Sequence, residues 1–180
     1  MDQAYENFER YLNIESLLNT FFSVFNYCFN NCIKSEIFRN NGNPVPACCK
    51  DKYYNKYDID HPSFDLLTSK RIALYGNPED HYFNNPVSPC EYHNPESGCV
   101  LATHKSPICL SFMCQESIVY LREHYLIYEY DYLGMNYALE WILTADFSDS
   151  DYYDLVRSIK KMTAIISGSE TTTGFNCSSL

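Results

Sequence analysis

Residues 90–114, CEYHNPESGCVLATHKSPICLSFMC, hold four of the nine cysteines in the chain: Cys90, Cys99, Cys109 and Cys114. Eight, nine and four residues separate them, and Pro95, Pro107, Gly98, His93 and His104 lie between. Each proline fixes φ and removes a backbone donor, so this stretch makes little helix and no long strand. It reads as a loop wrapped around something. Thiolates at this density point to a metal ion or an iron–sulfur cluster, with the rest of the chain as helices that hold the loop.

The remaining cysteines decide between metal and disulfide. The N-terminal MDQAYENFERYLN is acidic and polar where a secretory signal is basic and then apolar, and no apolar run reaches transmembrane length. A cytoplasmic setting follows, in which thiols stay reduced and metal ligation is a better reading of nine clustered cysteines than a disulfide framework. At 180 residues the chain forms one domain with a core of its own, read as residues 1–166, with 167–180 as a flexible polar tail. The net charge of −10 repels phosphate backbones, so nucleic acid is not expected as a partner. Seventeen tyrosines provide large packing area, but each buried hydroxyl needs a partner.

Three stretches have helical periodicity. Residues 4–39 read as one long helix, with Leu18, Phe21, Phe25, Cys28 and Cys32 on one face, widened by Phe22, Phe29 and Ile33. Asn40-Asn41-Gly42-Asn43-Pro44 ends it. Residues 117–146 read as a second, along Ile118, Leu121, Tyr125, Tyr128, Tyr132, Met135, Leu139 and Ile142, weakened mildly by Gly134. A third runs from about Asp151 to Ile166, capped by Ser148 or Ser150. Its apolar side is Leu155, Val156, Ile159, Met162 and Ile166, and Lys160 and Lys161 lie near its end. A short helix over Asp65–Tyr75 has Ser63 as N-cap after Pro62 and Gly76 as its stop. The expected fold is therefore mainly α, long helices packed around an irregular cysteine-rich metal-binding lobe.

The spacing of the thiols bears on the metal. Zinc knuckles pair cysteines two to four residues apart, twice. Here Cys28-x3-Cys32 falls within a predicted helix, and neither it nor Cys109-x4-Cys114 has a knuckle's flanking glycine. A cluster takes each ligand to a different iron and tolerates wider gaps, which suits Cys90, Cys99 and Cys109. Cys90-x2-His93 is half of a Rieske pattern without its second half. Cys28 and Cys32, at i and i+4, have two readings: small core residues, or thiols facing a metal held against the helix. Cys32, nearer the turn, is the better ligand candidate of the two. His93 and His104 lie in the loop, as ligands or solvated, and His61 with Asp65 is a candidate acid–base pair without a visible substrate site. No Ser-His-Asp signature, P-loop or dinucleotide fingerprint is present.

Ala47-Cys48-Cys49, then Gly98-Cys99-Val100-Leu101, then Ser106-Pro107-Ile108-Cys109-Leu110-Ser111-Phe112 resemble the YkgJ-type cysteine-cluster family. That family is described as a zinc- or iron-chelating domain named for CxxCxxCC, and a related branch as a flagellin lysine methylase carrying an iron–sulfur cluster. The resemblance implies metal binding, with Cys48, Cys49, Cys99 and Cys109 at the family's cysteine positions. The first two cysteines of CxxCxxCC fall at Gly42 and Val45, a place Cys28 and Cys32 would have to fill in space. Ser106-Pro107 stands where the family has Arg-Pro, and Cys90 and Cys114 are additional.

The expected ligands lie among Cys48, Cys49, Cys90, Cys99, Cys109 and Cys114, with Cys49, Cys90, Cys99 and Cys109 first for a four-iron cluster, and Cys32 beside them. Cys177 stands apart from the other cysteines and is not assigned. The surplus of thiols leaves room for a second or larger cluster. Three functions fit: an iron–sulfur protein for electron transfer or redox sensing, with a redox protein as partner; a cluster-dependent enzyme with an open iron site; or a structural zinc module in an interaction protein.

Overall fold

The computed structural model describes residues 3–43, 59–81, 90–94 and 98–173. Cys48, Cys49 and Cys177 lie outside them. The fold is mainly helical: α1 (Gln3–Val24), a π-helical turn (Phe29–Ile33), α2 (Lys34–Arg39), α3 (Pro62–Tyr75), α4 (Pro107–Ser111), α5 (Gln115–Tyr125), α6 (Tyr132–Thr144) and α7 (Asp149–Thr173). Two-residue strands, β1 (His93–Asn94) and β2 (Gly98–Cys99), pair antiparallel. No helix among the described residues is long and apolar enough to cross a membrane.

Helix α1 is the central element, packed against α3, α6 and α7. Its buried positions Phe8, Tyr11, Ile14, Leu18, Phe21 step by three or four along one face. They meet Leu67 of α3, Leu139 and Leu143 of α6, and Ile159, Met162 and Ile166 of α7 in one cluster. Full burial of each large side chain contributes roughly 1.5–3 kcal/mol, and this contact, more than intrinsic propensity, stabilises the helices.

The long helix expected over 4–39 is interrupted after Val24 and resumes at a π-turn. Side chains here compete for backbone acceptors: Thr20 Oγ1 bonds Ser16 O, Ser23 Oγ bonds Thr20 O, and Asn31 Nδ2 takes Tyr27 O at 3.0 Å. The last of these is the carbonyl that an α-helix reserves for the Asn31 N–H, and such local bonds loosen helices. The buried stripe ends at Phe25; Cys28 and Cys32 are half-buried and Phe29 is exposed. A core role for Cys28 is thus not what the burial shows.

The helix expected over 117–146 is two helices. Leu126 closes α5 in the left-handed region at φ 55°. Asp131 opens α6, its carboxylate accepting the N–H groups of Leu133 and Gly134. Between them Ile127 and Tyr130 are fully buried, while Tyr128, placed on the expected stripe, is exposed. The two apolar stripes happen to continue in phase, so periodicity alone did not reveal the break.

Two further boundaries differ. His61, not Ser63, caps α3: its Nδ1 accepts the Ser63 N–H at 3.3 Å, with Pro62 at the first helical position. Ser63 is buried and donates to Ala4 O. Ser148 caps α7 as expected, accepting the Asp151 N–H at 3.2 Å. That helix continues to Thr173, so Lys160 and Lys161 sit within it and not near its end; Lys161 pairs with Glu129 at 3.1 Å.

Candidate metal centre

The loop that carries the thiols is tied to the helices by buried polar groups. Glu15 of α1 is 1 % exposed and accepts the N–H groups of His104 at 2.8 Å and Lys105 at 3.0 Å. Tyr11, one turn earlier, donates its hydroxyl to Lys105 O at 2.6 Å, and Arg71 Nε of α3 donates to His104 O at 2.6 Å. His104 itself takes φ +61°, a strained conformation for a residue with a Cβ, and these bonds hold it there. Tyr75 Oη accepts the Thr103 N–H at 3.0 Å on the outer side. Burial raises the Glu15 carboxyl, while the two backbone N–H groups and the charges of Lys105 and Arg71 pull it down.

The anchor delivers the rest of the loop. Ser106 caps α4, its Oγ accepting the Cys109 N–H at 3.3 Å, so Cys109 stands in the first turn of that helix. Tyr130 Oη reaches across to Ser111 O at 2.7 Å. Upstream, His93 N–H bonds Cys90 O at 3.1 Å and Val100 N–H bonds Tyr92 O at 2.9 Å, while the β1–β2 register sets His93 against Cys99. Tyr92 Oη donates to Gly76 O at the end of α3. Tyr11, Tyr92 and Tyr130 are all fully buried, and each hydroxyl ends on a backbone carbonyl, which meets the requirement their number raised.

These contacts bring Cys90, Cys99 and Cys109 into one neighbourhood. Burial pushes the Cys90 thiol up to about 11, against a Tyr92 N–H that lowers it, and Cys109 and Cys99 add to the rise. Burial also raises Cys109, with Ser106 and the Arg71 charge opposing and Cys99 adding. Cys99 is exposed. Burial and the neighbouring thiols thus raise both Cys90 and Cys109 above the ordinary thiol value.

The other described cysteines fall elsewhere. Cys28 precedes the π-turn, Cys32 lies within it and Cys114 precedes α5; burial raises the Tyr27 hydroxyl, and Glu116 and these three thiols add to the rise. The Tyr27 ring lies 4.4 Å from that of Tyr120 on α5, which holds the π-turn against that helix. Burial raises the Cys32 thiol, and Cys114 adds to it. Cys114 Sγ is 3.2 Å from Ser117 Oγ.

Among the described residues no three His, Cys, Asp or Glu side chains stand close enough to hold a single metal ion. Cys99 stands in β2 and Cys109 in α4, and Cys90 precedes β1. Cys48 and Cys49, also among the expected ligands, lie outside the described residues. Of the loop histidines, His93 is buried, and His104 has its Nδ1 2.9 Å from Thr103 Oγ1 and its ring against Phe8. His61 is engaged in capping, not paired with Asp65. Two open cavities of about 460 and 420 Å³ are lined by α1 residues and contain no cysteine.

Two buried polar residues of this centre were missed in the sequence, and both had a signal. Glu15 sits on the stripe Tyr11, Ile14, Leu18, and Arg71 on the stripe Phe64, Leu67. A charge on an apolar face is buried and needs partners from elsewhere in the fold. Comparisons of the chain with protein-family models, curated proteins and solved structures find no match.

Proposed function

We propose that this chain binds an iron–sulfur cluster through Cys90, Cys99 and Cys109, with Cys49 or Cys48 as the fourth ligand, and serves electron transfer or redox sensing. What supports the reading is the spacing of Cys90, Cys99 and Cys109, eight and nine residues apart, on a loop that Glu15 and Arg71 tie to α1 and α3. When bound, a cluster supplies reversible one-electron chemistry whose potential depends on burial and on hydrogen bonds to sulfur. The chain would present Cys90 and Cys109 from half-buried positions and Cys99 at the surface. That exposed edge suits a redox protein partner, in a cytoplasmic setting where thiols stay reduced. The likeness to the YkgJ-type family belongs to this proposal and adds nothing about a substrate.

Protein purified without oxygen is expected to be brown, with broad visible absorption and iron and acid-labile sulfide in equal amounts. Colourless protein containing zinc would instead favour a structural zinc module. A visible spectrum that changes on adding a small-molecule substrate would favour the enzyme with an open iron site.

A further inference from the structure

Helix α6 buries one side and leaves the other open. Met135, Leu139, Ile142 and Leu143 belong to the core, whereas Leu133, Tyr137 and Trp141 are 49, 51 and 49 % exposed. Steps of four residues put these three on one face, along about 12 Å of helix. The Tyr137 and Trp141 rings lie stacked, with centroids 6.1 Å apart. Single apolar residues scattered on a surface need no explanation, but two aromatic rings and a leucine in line form a contiguous face, which marks a binding surface. Tyr and Trp are also the residues that carry most of the energy where such faces are used. The charge around the stripe narrows what covers it. Between Arg122 and Arg157 the chain has no Lys or Arg. Glu129 and Asp149 of this segment are paired with Lys161 and Arg10. Asp131 caps α6 two residues before Leu133, and Asp146 follows Trp141, its N–H bonding Trp141 O at 3.0 Å. Both are exposed, and neither makes an ion pair among the described residues. A carboxylate thus stands at each end of the aromatic stripe, on a chain of net charge −10.

We propose that the Leu133–Tyr137–Trp141 face of α6 docks a basic segment of another protein. An arginine of that segment lies over the Trp141 or Tyr137 ring, where the ring quadrupole attracts a cation and the flat guanidinium stacks. Flanking basic residues meet Asp131 and Asp146, and apolar ones cover Leu133. Two other occupants fit the charge badly. A second copy laid antiparallel on the same face sets Asp131 of one chain against Asp146 of the other, and like charges placed together suppress pairing. An anionic membrane surface is repelled by the same two carboxylates. The face is formed by α6 alone and does not depend on what the thiols bind.

Trp141 is the single tryptophan of the chain, so its emission reports on this face directly. The probe is a short labelled peptide of Arg and Leu, with a Glu and Leu peptide of the same length as control, each titrated against the full chain. The Arg peptide is expected to bind and to change the Trp141 emission, with an affinity that falls as salt rises; the Glu peptide is expected to do neither. By anisotropy of the labelled peptide, Trp141→Ala and Tyr137→Ala are each expected to weaken binding about tenfold. Trp141→Phe should recover most of that loss, and Asp131→Asn and Asp146→Asn should each weaken binding less than the ring deletions. Asparagine caps a helix as well as aspartate, so Asp131→Asn keeps α6 intact, which circular dichroism checks. If Trp141→Ala fails to fold, Tyr137→Ala and the two asparagine variants carry the test. No binding of the Arg peptide to wild type overturns the proposal. Wild-type affinity in both ring variants means attraction to bulk charge, and equal binding of the Glu peptide means an apolar surface without charge selection; either overturns it. So does self-association that Trp141→Ala abolishes, or a shift of Trp141 emission on phosphatidylserine vesicles, since these give the face to a second copy or to a membrane.

Discussion

The cysteine-rich loop and the cysteine-bearing π-turn are built by different means. Around Cys90, Cys99 and Cys109 the loop is held by directional bonds from buried groups: Glu15 to two N–H groups, and Tyr11, Arg71, Tyr92 and Tyr130 to four carbonyls. Around Cys28, Cys32 and Cys114 the contacts are mainly rings, with Tyr27, Tyr120, Phe25, Tyr125 and His124 in mutual contact. A satisfied buried network admits one loop conformation, since any slip leaves a donor or acceptor unpaired. Ring packing is less directional and accommodates a π-turn whose thiols remain half-exposed. The difference teaches where preorganisation has been placed. The first region fixes the backbone turn at His104 and Lys105; the second fastens the π-turn to α5.

The sharpest way to break this contrast is to remove one thiol from each region. Cys109→Ser is expected to abolish most of the iron and sulfide per folded protein, whereas Cys114→Ser and Cys32→Ser leave it near the wild-type level. Equal loss from Cys109→Ser and Cys114→Ser would merge the two regions into one site and sink the partition.

Next in size is the anchor. Glu15→Gln keeps one acceptor and turns an amide donor toward the second N–H, which costs about 1–3 kcal/mol for the stranded group. Urea denaturation at neutral pH measures it. The pH dependence has a fixed sign. Burial raises the folded-state pKa of Glu15 above its ordinary 4.5. The stability this contributes is fully present below the unfolded value and is lost as pH rises through the folded one. The difference between wild type and Glu15→Gln should therefore be larger near pH 4 than near pH 7. The opposite trend would mean that the two N–H bonds outweigh burial.

The smallest effect belongs to the aromatic region. Tyr120→Leu keeps apolar bulk but removes the ring contact with Tyr27, and is expected to cost about 0.5–1.5 kcal/mol. Faster alkylation of Cys28 and Cys32 should accompany it, with Cys109 unchanged. A matching change at Cys109 would show that the two regions are mechanically coupled after all.

Much of this was legible in the residues. The three-four stripes placed α1, α6 and α7, and the prolines and glycine of 90–114 announced a loop with only two-residue strands and a five-residue helix. Both helix breaks were hidden, because apolar spacing continued across them. Asp131, an acceptor ahead of Leu133 and Gly134, was the readable sign of the second break. Glu15 and Arg71, charges on apolar faces, were the readable signs of the anchor.

The sequence by itself determined that the chain is helical, acidic and rich in thiols, since these follow from composition and from periodicity over a few turns. How the thiol-bearing loop is held was decided only by the tertiary structure. Glu15 of α1 accepts the N–H groups of His104 and Lys105 and Arg71 of α3 donates to His104 O, so two helices remote in sequence from the loop fix its turn. Partners that far apart in the chain leave no local pattern; their meeting is a property of how the helices pack.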